Sequence, residues 1–270
     1  ASFADISGRG SLSDAALRVE IQLARAMQEL GHVFPLDFEI SGTVGADVAM
    51  RRVEEGVHQL SLDGGIAGLK LEGLSRSERF EKVPDVNGDV AADVKIRLEG
   101  NEPVAVTGTM NAHSLQFSGG VFRNDQPYIA VADAIVNLYL TNDVVEIKQL
   151  RCASSMGALS LSGSVAQQRE GQFPKGPMNM NANVNLAEVA DQLPGVIGLG
   201  EGFDVSKGTV KIDGRVESLP EQLRFNLTGS LFDFAGSRDG IAVNLDEPLD
   251  VNVDGVFADS GVSFNQCVLR

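Results

Sequence analysis

Along most of this chain apolar and polar residues alternate one for one, most plainly at positions 144–165, VVEIKQLRCASSMGALSLSGSV. Val145 and Ile147 alternate with Glu146 and Lys148, and a Ser-Ser-Met-Gly turn follows. Leu159, Leu161, Gly163 and Val165 then alternate with Ser160, Ser162 and Ser164. A period of two sends successive side chains to opposite faces of an extended backbone, so the stretch predicts strand, turn, strand. Each strand then has one apolar and one wet face, the pattern of an antiparallel sheet solvated on one side. The second strand carries an apolar-Ser-Gly-Ser-apolar signature. It recurs, with Ser or Thr beside the glycine, at 40–44 (ISGTV), 106–110 (VTGTM) and 227–231 (LTGSL). The glycine falls on the apolar face each time, where a missing side chain leaves room for curvature or close approach.

Taken in order, the pattern first places Leu23, Met27 and Leu30 at helical spacing, with Ser13 or Asp14 as cap and Gly31 as stop. Positions 17–23 also alternate, so a strand running into a short helix fits as well as one long helix. The first plain strand is 36–50, with Leu36, Phe38, Ile40, Gly42, Val44, Ala46, Val48 and Met50 on one face and Asp37, Glu39 and Asp47 on the other. Two shorter strands follow at 57–63 and 66–72, then a charged connector at 75–82. The longest run is 86–98, where Val86, Gly88, Val90, Ala92, Val94, Ile96 and Leu98 share a face. Positions 104–112 repeat it, and Asn101-Glu102-Pro103 predicts a hairpin between the two. The phase changes near Ser114, where Leu115 and Phe117 take over, which predicts a bulge. A turn at 122–127, a strand at 129–140 and a Gly- and Pro-containing loop at 167–177 come next. Positions 178–186 alternate apolar residues with Asn179, Asn181, Asn183 and Asn185, a poor strand former confined to one face. Further strands are predicted at 210–216, 223–231, 241–245, 249–257 and 262–264.

An internal repeat runs through these elements. Val184-Asn185-Leu186-Ala187 with Ala190 and Leu193 matches Ile21-Gln22-Leu23-Ala24 with Met27 and Leu30, each a strand entering a short helix that stops at Pro194 or Gly31. Positions 262–266 parallel 145–149. The 270 residues are therefore expected to form one elongated β-repeat body, with repeat units at 1–110, 111–177 and 178–270.

Composition narrows the function classes. With 43% hydrophobic residues a sizeable apolar surface can be buried. A net charge of −15 leaves no basic patch to displace phosphate counterions, which argues against nucleic acid. Aromatic residues make up 6% and tryptophan is absent, which weakens carbohydrate and nucleotide sites that stack on rings. The chain opens ASFADISGRG and stops inside an alternating run, so it is expected to be a piece of a longer protein. No apolar run reaches the roughly 20 residues that span a bilayer, so any membrane anchor of the parent protein is expected outside these residues.

Catalytic and metal motifs are weak. His32, His58 and His113 are scattered, with no His-Glu-x-x-His, Gly-x-Ser-x-Gly or Ser-x-x-Lys pattern, so no enzyme is expected. Asp250-x-Asn252-x-Asp254-Gly255 imitates the start of a calcium loop, but Gly261 stands where the bidentate glutamate belongs, and the run alternates like a strand. Asp85, Asn87 and Asp89 invite the same idea, and Asn87-Gly88 reads more simply as a turn. Gly195, Gly198, Gly200 and Gly202 form a connector that follows no buried strand, against a nucleotide loop. Asn226-Leu227-Thr228 is formally a glycosylation acceptor, relevant only in a eukaryotic secretory context. Cys152 and Cys267 sit at corresponding points of two repeats, strands apart, and are expected as unpaired thiols. Neither a metal nor an organic cofactor is implied.

Positions 184–216 (VNLAEVADQLPGVIGLGEGFDVSKGTVKIDGRV) and 144–165 together resemble the AsmA-like group of bacterial envelope proteins, which includes the translocation-and-assembly-module and YhdP-type proteins. They carry a strand, short helix, Pro- or Gly-rich connector, and then paired strands with glycine on the apolar side. The resemblance implies an elongated, curved antiparallel sheet whose apolar face lines a groove. It also implies a periplasmic location, anchoring in the inner membrane by a segment outside this chain, outer-membrane proteins as further partners, and a role in moving phospholipid across the envelope.

Strand length leads in the same direction. A strand of about 15 residues spans on the order of 50 Å and needs something apolar along its whole length. Acyl chains would serve, since each methylene removed from water contributes roughly 0.8 kcal/mol and a 16-carbon chain on the order of 12 kcal/mol. The expected fold is mainly β, a long curved antiparallel sheet with one or two short helices, and the alternative is a closed β-sandwich or barrel. The residues expected to line a lipid groove are Val90, Val94, Ile96, Leu98, Val104, Val106, Ile147, Leu159, Leu161, Val210, Ile212, Leu223, Phe225 and Leu227. The alternative function is a structural or protein-binding envelope module with no lipid ligand and its apolar face sealed by protein.

Overall fold

A computed structural model describes residues 4–10, 14–31, 38–73, 82–100, 102–122, 125–141, 144–166, 176–198, 202–219, 222–258 and 261–270. The described residues form fifteen strands and two short helices in the order β1 (Ala4–Gly10), β2 (Asp14–Gln22), α1 (Leu23–Gly31), β3 (Glu39–Glu54), β4 (Val57–Glu72), β5 (Asp85–Glu99), β6 (Glu102–Ser118), β7 (Tyr128–Leu140), β8 (Val144–Ser154), β9 (Gly157–Ala166), β10 (Met178–Asn185), α2 (Leu186–Gln192), β11 (Phe203–Leu219), β12 (Gln222–Arg238), β13 (Ile241–Asn244), β14 (Leu249–Ala258) and β15 (Gly261–Leu269). Hydrogen-bonded neighbours follow chain order from β1 to β12 and then β14 and β15, with β13 beside β12 only. The protein is thus a mainly-β, antiparallel sheet with two short helices. Its order has two free ends, so it is not the closed barrel or sandwich that the alternation left open. The chain divides into two compact units, Ala1–Ala134 with Gln192–Gly198 and Ile135–Asp191 with Leu199–Arg270.

Both strand-to-helix passages form. β2 pairs with β3 through Gln22 and then winds into α1, so Asp14 is a strand residue and caps no helix. Half-buried Leu23, Ala26 and Met27 lie on one side of α1, which packs against β3, while Arg25, Gln28 and Glu29 are exposed. In the second passage Asn185 Oδ1 accepts the Glu188 N–H at 3.4 Å, satisfying one of the amides a helix start leaves unpaired. Leu186 occupies the space a side chain at Gly208 would take.

Several strand limits differ from the sequence reading for identifiable reasons. Positions 57–63 and 66–72 belong to one strand, β4. Gly64 and Gly65, which break the apolar alternation, stay in the ladder opposite Ala46 and Gly45 on one side and Ala92 and Ala91 on the other. Positions 210–216 are the middle of one 17-residue strand, β11, and 223–231 belong to the first half of another, β12. The start of β11 is obscured by two register shifts around Lys207. β15 continues past Phe264 because a bulge at Asn265 sets Phe264 opposite Gly255 and Gln266 opposite Asp254, returning Cys267 and Leu269 to the apolar face. The bulge at Ser114 is present: Ser114 has φ +53°, and Asn87–Gln116 and Asp89–His113 bracket it. The hairpin after β5 forms with Glu99 opposite Glu102. Ser13, His32, Leu36, Asp37 and most of the 75–82 connector and 167–177 loop lie outside the described residues.

Candidate functional site

Register decides what the alternating strands build together, because directly paired residues of an antiparallel ladder point to the same face. In the first unit the partners of Val94 run Gly8, Leu17, Val48, Leu62, Val94, Gly108 across β1 to β6. The row through Ile96 runs Gly10, Ala15, Met50, Leu60, Ile96, Val106, and the row through Val90 runs Ala4, Ile21, Val44, Ile66, Val90, Ala112. Between them lies Ile6, Val19, Ala46, Gly64, Ala92, Met110. No polar side chain interrupts these four rows.

The second unit repeats the design across β8 to β15. One row is Cys152, Leu159, Ala182, Ile212, Gly229, Val251, Leu269, and the next is Leu150, Leu161, Met180, Gly214, Leu227, Val253, Cys267. Ile147 and Phe225 share a third with Gly163, Met178, Val216, Gly255 and Phe264, whose ring stands edge-on to Phe225 at 6.2 Å. Val210 pairs with Val184 and Leu231, and Leu223 with Phe257.

Ten of the fourteen residues singled out from the sequence therefore stand in these rows, six strands deep in the first unit, and Val210 and Leu223 stand in the apolar pairs beside them. Leu98 is at the margin, between His58 and Pro103. Val104 is the extra residue of a bulge, between the pairs Leu98–Pro103 and Arg97–Ala105, and so has no partner across the ladder. The fourteen residues leave out the contributions of β1 to β4, β10, β14 and β15. Their alternation was visible, but only the register shows that they continue the same face.

This face has no second layer within either unit among the described residues. Of the buried hydrophobic residues Val57 and Ala112 only Ala112 stands in these rows, whereas Leu17 is 41% exposed, Leu62 38%, Met110 45% and Leu159 39%. Apolar rows of this extent left in water cost about 25 cal/mol for each Å² that burial would have removed. A contiguous exposed apolar patch larger than a few hundred Å² marks a binding surface.

The opposite face is polar and paired. Arg18 holds Asp47 with two hydrogen bonds of 2.7 and 2.9 Å, which lowers the Asp47 carboxyl below the usual carboxylate range. Asp254 is lowered likewise, first by the hydrogen bond from Asn265 (2.7 Å), with Arg224 (3.2 Å) assisting. Asp250 accepts from Ser230 Oγ at 2.5 Å. The two carboxylates of extended β14, Asp250 and Asp254, are four residues and so about 13 Å apart, too far to share one calcium ion with 2.3–2.6 Å bonds. Among the described residues no three His, Cys, Asp or Glu side chains are gathered to hold a metal. His58 and His113 stand on different strands, opposite Arg52 and Asp89. Asp85 and Asp89 accept the N–H groups of Gly73 and Gly68. Shallow depressions of about 650 and 570 Å³ also lie on this face, over Gly45 and Gly65 in one unit and over Asn179 and Asn181 in the other. Cys152 and Cys267 are free thiols.

One polar residue escaped the sequence reading altogether. Asp125, 5% exposed, accepts the N–H groups of Gly195 (2.8 Å) and Val196 (3.0 Å), so the glycine-rich connector spends amides on a carboxylate of its own chain. No helix of the described residues is long and apolar enough to cross a membrane. Compared with protein-family models, curated proteins and solved structures, the chain matches none.

Proposed function

We propose that the apolar face binds acyl chains of phospholipid, and that the chain is a non-catalytic lipid-carrying segment of a periplasmic protein anchored in the inner membrane. The observation that carries this reading is the set of uninterrupted apolar rows, six strands deep in the first unit, with no covering layer in the unit. Rows of valine, leucine, isoleucine and glycine without a polar stop offer near-equal free energy at successive positions. A chain that slides needs that evenness, and one deep site would trap it. Each methylene taken from water contributes roughly 0.8 kcal/mol, so a face that accepts a whole acyl chain offsets most of the cost of leaving a bilayer. The envelope location is what the AsmA-like resemblance of 144–165 and 184–216 implies.

The test is to purify the chain from cells, extract it with organic solvent and analyse the extract by mass spectrometry. In parallel, photo-crosslinking residues replace Ile96 on the apolar face and its neighbour Lys95 on the polar face. Phospholipid in the extract with crosslinks at 96 and not at 95 supports carriage. Equal crosslinking at both positions, or at neither with no extracted lipid, overturns it and leaves a structural or protein-binding sheet.

A further inference from the structure

We propose that a corner of the first unit, built from residues 82–84, from 119–122 with 125–128, and from 192–198, docks into the surface of a phospholipid bilayer. The corner lies off the apolar rows, in the connections between strands. Its three segments are remote in sequence and tied to one another. Val121 N–H donates to the Lys82 carbonyl at 3.3 Å, and Asp125 N–H to the Phe122 carbonyl at 3.0 Å. The Asp125 carboxylate accepts the amides of Gly195 and Val196, and Gln192 Oε1 accepts the Tyr128 N–H at 2.6 Å. A carboxylate is costly to bury unless hydrogen-bonded, so this one serves to fix the shape of the connector.

Beside exposed Lys82 and Gln126, that fixed shape presents a set of apolar side chains to water. Val121 is 56% exposed, Val196 54%, Ile197 42% and Val83 37%, with Tyr128 42% exposed beside Gln192. A connector has no need of such residues, since polar ones would cost nothing there, and locally unfavourable choices concentrate at functional sites. The chemistry of the occupant follows from the rest of the corner. In a chain of net charge −15, the segments QLPGVIG at 192–198 and GGVF at 119–122 carry no charge, and Lys82 adds a cation. An acidic body is repelled by anionic headgroups unless the approaching tip lacks acids. The aliphatic tips bring no hydrogen-bonding side chain of their own to specify a register, which suits a fluid apolar phase better than a protein pocket. Tyrosine is the residue type that favours the headgroup level, and apolar side chains at such a surface need sink only several Å.

Tryptophan is absent from the chain, so a single one reports its own surroundings. Ile197→Trp is mixed with vesicles of phosphatidylethanolamine and phosphatidylglycerol, with and without brominated acyl chains. Lys95→Trp on the polar face serves as control. The expected result is a blue shift and bromine quenching at 197 and neither at 95. Val196→Ser with Ile197→Ser, and separately Val121→Ser, should weaken vesicle flotation, the pair on the order of tenfold. Because these side chains are exposed, the urea midpoints of the variants should stay at the wild-type value. A tryptophan at 197 that remains in water on vesicles, or serine variants that float as well as wild type, overturns the proposal and leaves the corner as a protein contact. Flotation and tryptophan depth report docking, whereas extracted lipid reports carriage, so each can fail without the other.

Discussion

Gly163 and Gly229 carry the same sequence signature but meet different surroundings. Gly163 has φ +143°, and a Cβ there would lie 2.2 Å from the Pro177 carbonyl oxygen, whereas at Gly229 the nearest atom is the Lys211 carbonyl oxygen at 3.9 Å. Gly163→Ala should therefore destabilise by roughly 1–3 kcal/mol, and Gly229→Ala should stabilise by about 0.4–1 kcal/mol through the unfolded state. Urea midpoints of the two variants check both signs. At the same scale, Asp47 is held below its ordinary pKa by Arg18. A carboxyl lowered in the folded state contributes stability above its unfolded pKa, and loses it as pH falls through the folded value. Arg18→Met should therefore lower the urea midpoint at neutral pH, and the gap from wild type should close in strong acid. Both side chains are largely exposed, so salt should narrow the neutral-pH gap as well.

Among the elements, the connector after α2 depends on one side chain that belongs to the turn before β7. Asp125→Ala removes the acceptor of two amide hydrogen bonds, each worth about 1.5–3 kcal/mol when one partner is charged. Hydrogen exchange should show the amides of Gly195 and Val196 losing protection, while those in the middle of β4 and β5 keep theirs. If the Gly195 and Val196 amides exchange as slowly as before, Asp125 does not hold the connector. The contrast with α1 is instructive, since that helix is held by half-buried Leu23, Ala26 and Met27 against β3. Periodicity announces such a helix, whereas nothing periodic announces Asp125.

For the whole molecule the question is whether the apolar rows act as a core or as a surface. Leu62 sits mid-row between Val48 and Val94 and is 38% exposed. Leu62→Asp in a sealed core would strand a charge and unfold the protein. On an uncovered face it should cost only about 1–2 kcal/mol, for the part of the side chain that was shielded. The variant should fold by circular dichroism and copurify with much less phospholipid than wild type. A variant that fails to fold would show instead that something seals this face.

The sequence by itself determined the mainly-β class, the face to which each residue of a strand belongs, the bulge at Ser114 and the two passages from strand into helix. These are local properties, written in periods of two and in residue spacing within a few positions. It could not show that 57–63 and 66–72 are one strand, because paired glycines erase the alternation without breaking the ladder. Only the tertiary structure decided which strands stand in register and that Val104 loses its partner to a bulge. It also decided that the sheet stays open rather than closing on itself. Alternation gives the composition of a face but says nothing about what lies opposite it, because cover comes from residues far away in the chain. Asp125 was invisible for a related reason: its partners are backbone amides, which every residue but proline carries, so its role leaves no trace in side-chain pattern.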